Sequence, residues 1–190
     1  MDQDTKKKLN VGCGRDSRVG WVNLDASPLP GVDVVHDLES LPLPFADEEF
    51  DEILCQDVLE HIEYIPVLKE LHRILKKGGT IVIRVPHFTS RNNFVDPTHR
   101  KLFSVDTWEF FVSSGSSHMQ HLQPVRAYYF DFAFSGIESR VLSFEGRREL
   151  FYHRIVGWFV NRSPSAQTLY ESSFLSRLVP AENLLVKLRK

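Results

Sequence analysis

Short apolar runs, separated by polar and glycine-containing segments, dominate the first half of the chain. They predict strands at Lys8–Val11, Val22–Asp25, Val32–Asp37, Phe50–Gln56 and Thr80–Val85. Short apolar runs of this kind are typical of strands that are buried on both faces of a parallel sheet. The first half of the chain therefore predicts a parallel sheet.

Helical spacing appears between the fourth and fifth predicted strands. A short helix is predicted at Asp57–Glu63, and a longer helix begins near Pro66 and ends at Gly78. The apolar face of the longer helix comprises Val67, Leu68, Leu71, Ile74 and Leu75. Alternating strands and helices predict a doubly wound sheet, in which ligands bind beyond the carboxyl ends of the strands.

The second half of the chain is more aromatic and less regular. Helices are predicted from about Asp106 to Ser113, from Arg148 to Val160 and from Ser165 to Leu178, and strands at Ile137–Phe144 and Leu184–Leu188. The whole pattern predicts one α/β domain over residues 1–190. Its sheet is doubly wound, mostly parallel and seven-stranded, with a helical C-terminal insertion.

A glycine turn, Gly12-Cys13-Gly14, ends the first strand, and Asp25 ends the second. A dinucleotide site requires a third glycine and a helix N-terminus that holds the pyrophosphate. Only Arg15 to Trp21 separate the turn from the second strand, which is too short for a crossover helix. The shortened first crossover therefore disfavours NAD. It is compatible with S-adenosylmethionine, which has no phosphate.

Several further motifs follow this turn in a fixed order. They are Leu9–Gly14, Gly20–Asp25, Val34–Leu38, Leu43–Phe45, Phe50–Ile53, Asp57–His61, Leu71–Gly79 and Thr80–Pro86. The ordered set resembles class I S-adenosylmethionine-dependent methyltransferases, and is most similar to the type-11-like group. The resemblance implies a Rossmann-like methyltransferase fold with S-adenosylmethionine as cofactor. It also implies a donor-binding half at residues 8–88 and an acceptor side at residues 89–190.

The glycine turn and the acidic strand end suggest the first donor contacts. Gly12 and Gly14 allow the backbone to pass under the methionine end of the donor, with backbone groups near Cys13 in contact. Asp25 is expected to accept the ribose hydroxyls. Asp37 is expected to face the adenine amine. An alternative for both aspartates is that they only form turns.

The resemblance supplies the remaining donor residues. It places Leu38 on the adenine ring, and Gln56 and Asp57 near the ammonium and sulfonium groups. His61 would approach the donor or the acceptor. Asp57 as a helix cap and His61 as a structural histidine remain open alternatives.

The segment that follows the fifth strand contains the candidate catalytic residues. His87 is the first candidate for a base or an acceptor-positioning residue, and His99 is the second, oriented by Asp96. Arg91 and Arg100 could hold an anionic acceptor. The alternative is an ordered loop, in which Arg100 pairs with Asp106.

Two further groups of residues are candidates for a metal site and for an acceptor pocket. The histidines His87, His99, His118 and His121 match no compact ligand spacing, so no metal site is expected. Five aromatic residues could wall an acceptor pocket, although core packing is favoured: Phe88, Phe103, Trp108, Phe110 and Phe111.

One predicted helix combines apolar and basic residues. Its apolar residues are Leu150, Phe151, Ile155, Trp158 and Phe159, and its flanking arginines are Arg147, Arg148 and Arg162. Such a helix can lie on a membrane, cover a sheet or form a dimer interface. These three alternatives stay open.

Charge and cysteine content narrow the possible functions. The net charge of −2 and the absence of a basic stripe disfavour a nucleic-acid partner. The two cysteines and the absence of a membrane-spanning run predict a cytoplasmic protein with reduced thiols. The expected oligomeric state is a monomer or a homodimer. The expected function is methyl transfer to a small or lipid-linked metabolite. An RNA or protein methyltransferase and a non-catalytic S-adenosylmethionine-binding module are the alternatives.

Overall fold

A computed structural model of the chain describes residues 6–113, 117, 119, 128–147 and 151–190. Its centre is a seven-stranded sheet in the order β3-β2-β1-β4-β5-β7-β6. The strands are β1 Lys8–Val11, β2 Val22–Asp25, β3 Val34–Val35, β4 Phe50–Gln56, β5 Leu75–Pro86, β6 Gly136–Phe144 and β7 Ala181–Arg189. β1 to β5 pair in parallel, whereas β7 pairs antiparallel with both β5 and β6. The predicted α/β fold with a mostly parallel seven-stranded sheet is confirmed.

The helices lie mainly in the second half of the chain. They are α1 Tyr64–Ile74, α2 Asn92–Val95, the 3-10 helix Val105–Phe111, α3 Phe151–Val160, α4 Pro164–Ser172 and α5 Leu175–Leu178. None of these helices has the length and apolar character that a membrane crossing requires.

The sheet reverses its strand order between β1 and β4, where the glycine turn lies. Residues 12–21 contain turns and no helix, so the shortened first crossover is confirmed. The strand ends at such a switch point form a crevice in open α/β sheets. α1 packs against the sheet with Val67, Leu68, Leu71 and Ile74 fully or almost fully buried.

The predicted short helix at Asp57–Glu63 is wrong. Asp57 has a φ of 54°, which an α-helix does not accept, and its N–H donates to the Arg84 carbonyl at 2.9 Å. The segment turns instead, with His61 N–H donating to the Val58 carbonyl at 3.1 Å. The backbone therefore leaves β4 sharply, and the following side chains border the strand ends.

The ends of other helices and strands also differ from the predicted ones. β5 begins at Leu75, because Leu75 pairs with Phe50 of β4 and ends α1 four residues before the predicted stop at Gly78. The predicted helix at 165–178 is broken at Ser173, where the backbone is extended. The helix predicted from Asp106 is a 3-10 helix, and β3 is shorter than predicted.

Candidate functional site

Two cavities meet at the carboxyl edge of the sheet. The first cavity, of about 250 Å³, is lined by Gly12, Asp25, Ala26, Asp37, Leu38, Asp57, Val58, His61 and Ile62. The second cavity, of about 500 Å³, is lined by Asp57, Glu60, His61, Arg84, Pro86, Asn92, Val95, Asp96, His99 and Asn183. Asp57 and His61 line both cavities, so the two form one cleft across the strand ends.

The glycine turn forms one wall of the first cavity. Gly12 has a φ of 61°, and a Cβ there would lie 2.4 Å from Val58 Cγ2. Only glycine therefore fits this close approach without a shift of Val58. Cys13 is buried, and burial together with the nearby Asp25 raises the pKa of its thiol. The thiol stays protonated near neutral pH, in agreement with an expected contact through the backbone.

Asp25 holds the turn together and also faces the first cavity. Its Oδ2 accepts the Gly14 N–H at 2.7 Å, and its Oδ1 accepts the Ser27 N–H at 2.9 Å. A carboxylate oxygen has two lone pairs, so each oxygen can accept one further hydrogen bond. Turn formation and ligand binding are therefore compatible roles for this residue.

Asp37 and Leu38 form the opposite wall of the first cavity. Asp37 Oδ1 accepts the Glu39 N–H at 3.0 Å, which leaves acceptor capacity on the carboxylate. The side chain of Leu38 is buried and provides an apolar surface. A flat, partly polar ring such as adenine suits a wall of this composition.

Asp57 lies at the junction of the two cavities and pairs with Arg84. Arg84 Nε donates to Asp57 Oδ1 at 2.9 Å, and Arg84 Nη2 donates to the other oxygen. This pairing raises the pKa of Arg84 above its ordinary value. Asp57 does not cap a helix, because the N-cap of α1 is Glu63. No sequence pattern indicated a role for Arg84.

Gln56 ends β4 beside the glycine turn but lines neither cavity. Its Oε1 accepts a hydrogen bond from Arg18 Nη2 at 3.2 Å. Gln56 therefore helps to hold the first crossover against the sheet in this structure.

Glu60 is the most unusual residue of the second cavity. It is only 1% exposed, and neither carboxylate oxygen has a hydrogen-bond partner among the described residues. Burial raises its pKa to about 7. The sequence signal was a glutamate directly before His61 and just beyond a strand end, but its burial was not visible there.

His61 and His99 lie beside Glu60. Their ring centroids are 4.6 Å apart, and one ligand atom each from Glu60, His61 and His99 lies within 4.8 Å of the others. Burial and the neighbouring His99 lower the pKa of His61. His99 Nε2 is 3.9 Å from Asp96 Oδ2, which is longer than a hydrogen bond, so orientation of His99 by Asp96 stays a prediction.

His87 lies outside the cleft in this structure. Its ring is fully buried, with Nε2 bonded to Glu171 at 2.9 Å and Nδ1 bonded to Thr89 at 2.6 Å. Both ring nitrogens are thus occupied within the core, and His87 connects β5 to α4. His99 is the better placed of the two predicted catalytic histidines.

The other candidates of the acceptor side are not assembled into one site. His87 and His99 lie in different surroundings, and His118 and His121 are outside the described residues. Arg91 and Arg100 are exposed and line neither cavity. Of the predicted aromatic residues, three are fully or almost fully buried and pack in the core: Phe103, Trp108 and Phe111.

Comparisons with known proteins agree with the fold. Residues 9–83 match the type-11 family described as Methyltransferase domain. An uncharacterised protein of Methanocaldococcus jannaschii is 35% identical over 39% of this chain and 37% of its own length. A demethylmenaquinone methyltransferase of Lysinibacillus sphaericus is 35% identical over 40% of this chain and 30% of its own length.

The likeness of the fold extends further than the likeness of the sequence. A methyltransferase structure from Archaeoglobus fulgidus, described as dependent on S-adenosylmethionine, superposes with a TM-score of 0.54 and 18% identity. The match covers 97% of this chain and 86% of that one. The chain spans about a third of the length of the two curated relatives. The family match lies in the half that carries the glycine turn. Over residues 9–83 the chain is therefore similar to the type-11 methyltransferase-domain family, and it shares its fold with that solved methyltransferase structure.

Proposed function

We propose that this protein transfers a methyl group from S-adenosylmethionine to a small or lipid-linked metabolite. One observation carries the proposal: a cleft crosses the strand ends at the switch point, with Asp25 facing it and no helix in the first crossover. A phosphate ligand would lack a helix N-terminus here, whereas a nucleoside finds a carboxylate for its hydroxyls.

The residues of the first cavity fit the adenosine and methionine parts of the donor. S-adenosylmethionine supplies a methyl group already activated by the positive charge on sulfur. Asp25 would accept the ribose hydroxyls, Asp37 would accept from the adenine amine, and Leu38 would pack on the ring. Gly12 lines the same cavity and presents only backbone to a ligand there. Asp57, which lines both cavities and pairs with Arg84, would lie near the sulfonium.

The second cavity would hold the acceptor beside the methyl group. Its contribution is to orient the acceptor and to exclude water, which is most of what an in-line displacement needs. If the acceptor loses a proton, Glu60 and His99 are the groups available to accept it. Above a pH of about 7 the Glu60 carboxyl is ionised and able to do so.

The nature of the acceptor is the finer part of the proposal. The demethylmenaquinone methyltransferase relative supports a small-molecule acceptor by its name, over a limited part of the chain. A protein or RNA acceptor and a module that binds the donor without transfer are the competing functions. Cytoplasmic location, the division into donor half 8–88 and acceptor side 89–190, and a monomeric or homodimeric state belong to the same proposal.

Calorimetric titration tests the donor. We expect binding of S-adenosylmethionine and S-adenosylhomocysteine and no binding of NAD. Asp25→Ala should weaken donor binding at least tenfold, about 1.4 kcal/mol, because the carboxylate that would accept the ribose hydroxyls is lost. Asp131→Ala is the control, because Asp131 pairs with Lys69 on the surface and its side chain is 72% exposed.

The outcomes separate the functions. Equal donor affinity in Asp25→Ala and Asp131→Ala would show that Asp25 does not contact the donor. NAD binding would contradict the proposal as a whole. Donor binding without methyl transfer to any quinone, phenol, amine, protein or RNA acceptor would favour the non-catalytic module.

A further inference from the structure

We propose that Glu60, His61 and His99 form a binding site for one divalent transition-metal ion, where the first and second cavities meet. The ligand atoms of the three side chains lie within 4.8 Å of one another. Bonds of about 2.0–2.2 Å at tetrahedral angles require ligand separations of about 3.4 Å, so small side-chain movements complete the site.

The carboxylate of Glu60 is the first argument for a cation. It is 1% exposed, and both of its oxygens lack a hydrogen-bond partner among the described residues. A buried ionised carboxylate without a partner is strongly unfavourable, and a bound cation removes that cost. A carboxylate that only stabilised the fold would be expected to accept hydrogen bonds from its neighbours.

The orientation of His61 is the second argument. Thr98 Oγ1 donates its only proton to Asp96 Oδ1 at 2.6 Å, so it can only accept from His61 Nδ1, which lies 2.8 Å away. Nδ1 therefore carries the proton, and the lone pair of His61 is on Nε2. Metal-bound histidines are held in this way, through a hydrogen bond from the other ring nitrogen.

His99 provides the third ligand. Its Nδ1 is buried and has no hydrogen-bond partner among the described residues, and its Nε2 is 3.9 Å from Asp96 Oδ2. A carboxylate next to the second nitrogen is the usual support for a metal-bound imidazole. Asp96 thus lies next to both histidines: it accepts the hydrogen bond of Thr98, which holds His61, and its other oxygen is 3.9 Å from His99 Nε2.

The ligand set indicates the class of metal. Two imidazoles and one carboxylate suit Zn²⁺, Fe²⁺, Co²⁺ or Ni²⁺, whereas Mg²⁺ and Ca²⁺ prefer oxygen ligands. Three protein ligands leave at least one coordination position for water or substrate. An oxyanion of the acceptor could occupy that position, beside the donor. With the metal bound, Glu60 and His99 would act as its ligands and not as bases, and the metal would stabilise the deprotonated acceptor. This last step rests on the proposed methyl transfer, whereas metal binding does not.

The experiment uses the full chain, first treated with a chelator and then titrated calorimetrically with Zn²⁺. Co²⁺ is used in parallel, because its visible absorption reports the ligand geometry. We expect one ion per chain. Glu60→Gln and His99→Ala should each weaken binding by about 100-fold or more, since loss of a supporting partner alone costs 10–100-fold. Thr98→Val removes only the hydrogen-bond partner of His61, so it should weaken metal binding by about 10–100-fold.

Glu63→Gln is the matched control, because Glu63 is three residues from Glu60 with an exposed side chain paired with Lys101. It should bind both ions as the unchanged protein does. Circular dichroism shows whether each variant is folded, and His99→Ala replaces Glu60→Gln if the latter unfolds. The proposal is overturned if the unchanged protein binds neither ion, or if both site variants bind as Glu63→Gln does.

Titration with S-adenosylmethionine separates this proposal from the proposed function. Metal binding without donor binding would support the metal site and contradict the proposed methyl transfer. Donor binding in the presence of chelator, with no metal binding afterwards, would do the reverse.

Discussion

Two residues with left-handed backbone shape the cleft. Gly12 follows β1 with a φ of 61°, and Asp57 follows the adjacent β4 with a φ of 54°. Residues other than glycine rarely adopt this backbone conformation, although aspartate does so more readily than most. The two turns bring the chain sharply away from the sheet at neighbouring strand ends. The space between them becomes part of the cleft.

Gly12→Ala should destabilise the protein more than Gly14→Ala. Both residues have a positive φ, which costs an alanine about 1–2 kcal/mol. Only at position 12 does the added Cβ also come within 2.4 Å of Val58, whereas position 14 has no atom within 4 Å. Urea unfolding of the two variants measures the difference. Equal losses would contradict a role for the Val58 contact.

At the scale of elements, buried polar links attach the second half of the chain to the sheet. Arg140 of β6 pairs with Glu109 of the 3-10 helix at 2.9 Å, and these side chains are 4% and 0% exposed. Glu171 of α4 accepts hydrogen bonds from His87 and from the Val105 N–H. Both links join residues that are distant in sequence, so no local pattern indicated them.

Arg140→Ala should lower the free energy of unfolding by about 3–5 kcal/mol, because it leaves the buried charge of Glu109 without this partner. Arg189→Ala is the matched control on the neighbouring strand. Arg189 pairs with Glu138, its side chain is 53% exposed, and a surface pair contributes about 0–1 kcal/mol. Denaturant unfolding of both variants gives the comparison. Similar losses would show that burial does not decide the strength of the Arg140 pair.

At the scale of the whole molecule, α3 presents an aromatic face to solvent. Phe151, Ile155, Trp158 and Phe159 are between 52% and 65% exposed. Of the three alternatives, covering the sheet does not hold for these side chains, which leaves a membrane surface or a second copy of the chain. Arg162 lies over the Trp158 ring at 4.5 Å, which places a positive charge beside the apolar face.

We expect the protein to sediment with vesicles that contain phosphatidylglycerol, and less with vesicles of phosphatidylcholine alone, because arginines flank the aromatic face. The double variant Trp158→Ala/Phe159→Ala should bind several-fold less. Val35→Ala is the control, because Val35 is exposed on β3 at the opposite edge of the sheet. If the protein does not bind vesicles but sediments as a dimer at higher protein concentration, a second copy of the chain covers this face instead.

The sequence alone determined the order of the strands along the chain, the glycine turn, the missing crossover helix, and the carboxylates that end β2 and follow β3, Asp25 and Asp37. These features depend on local spacing and on residue chemistry, which a sequence shows directly. Tertiary structure decided the rest. It buried His87 against Glu171, turned Asp57–Glu63 away from a helix, and placed Glu60 beside His99. Burial and hydrogen-bond partners arise only when distant segments pack together, and they decide which polar side chains are free to act.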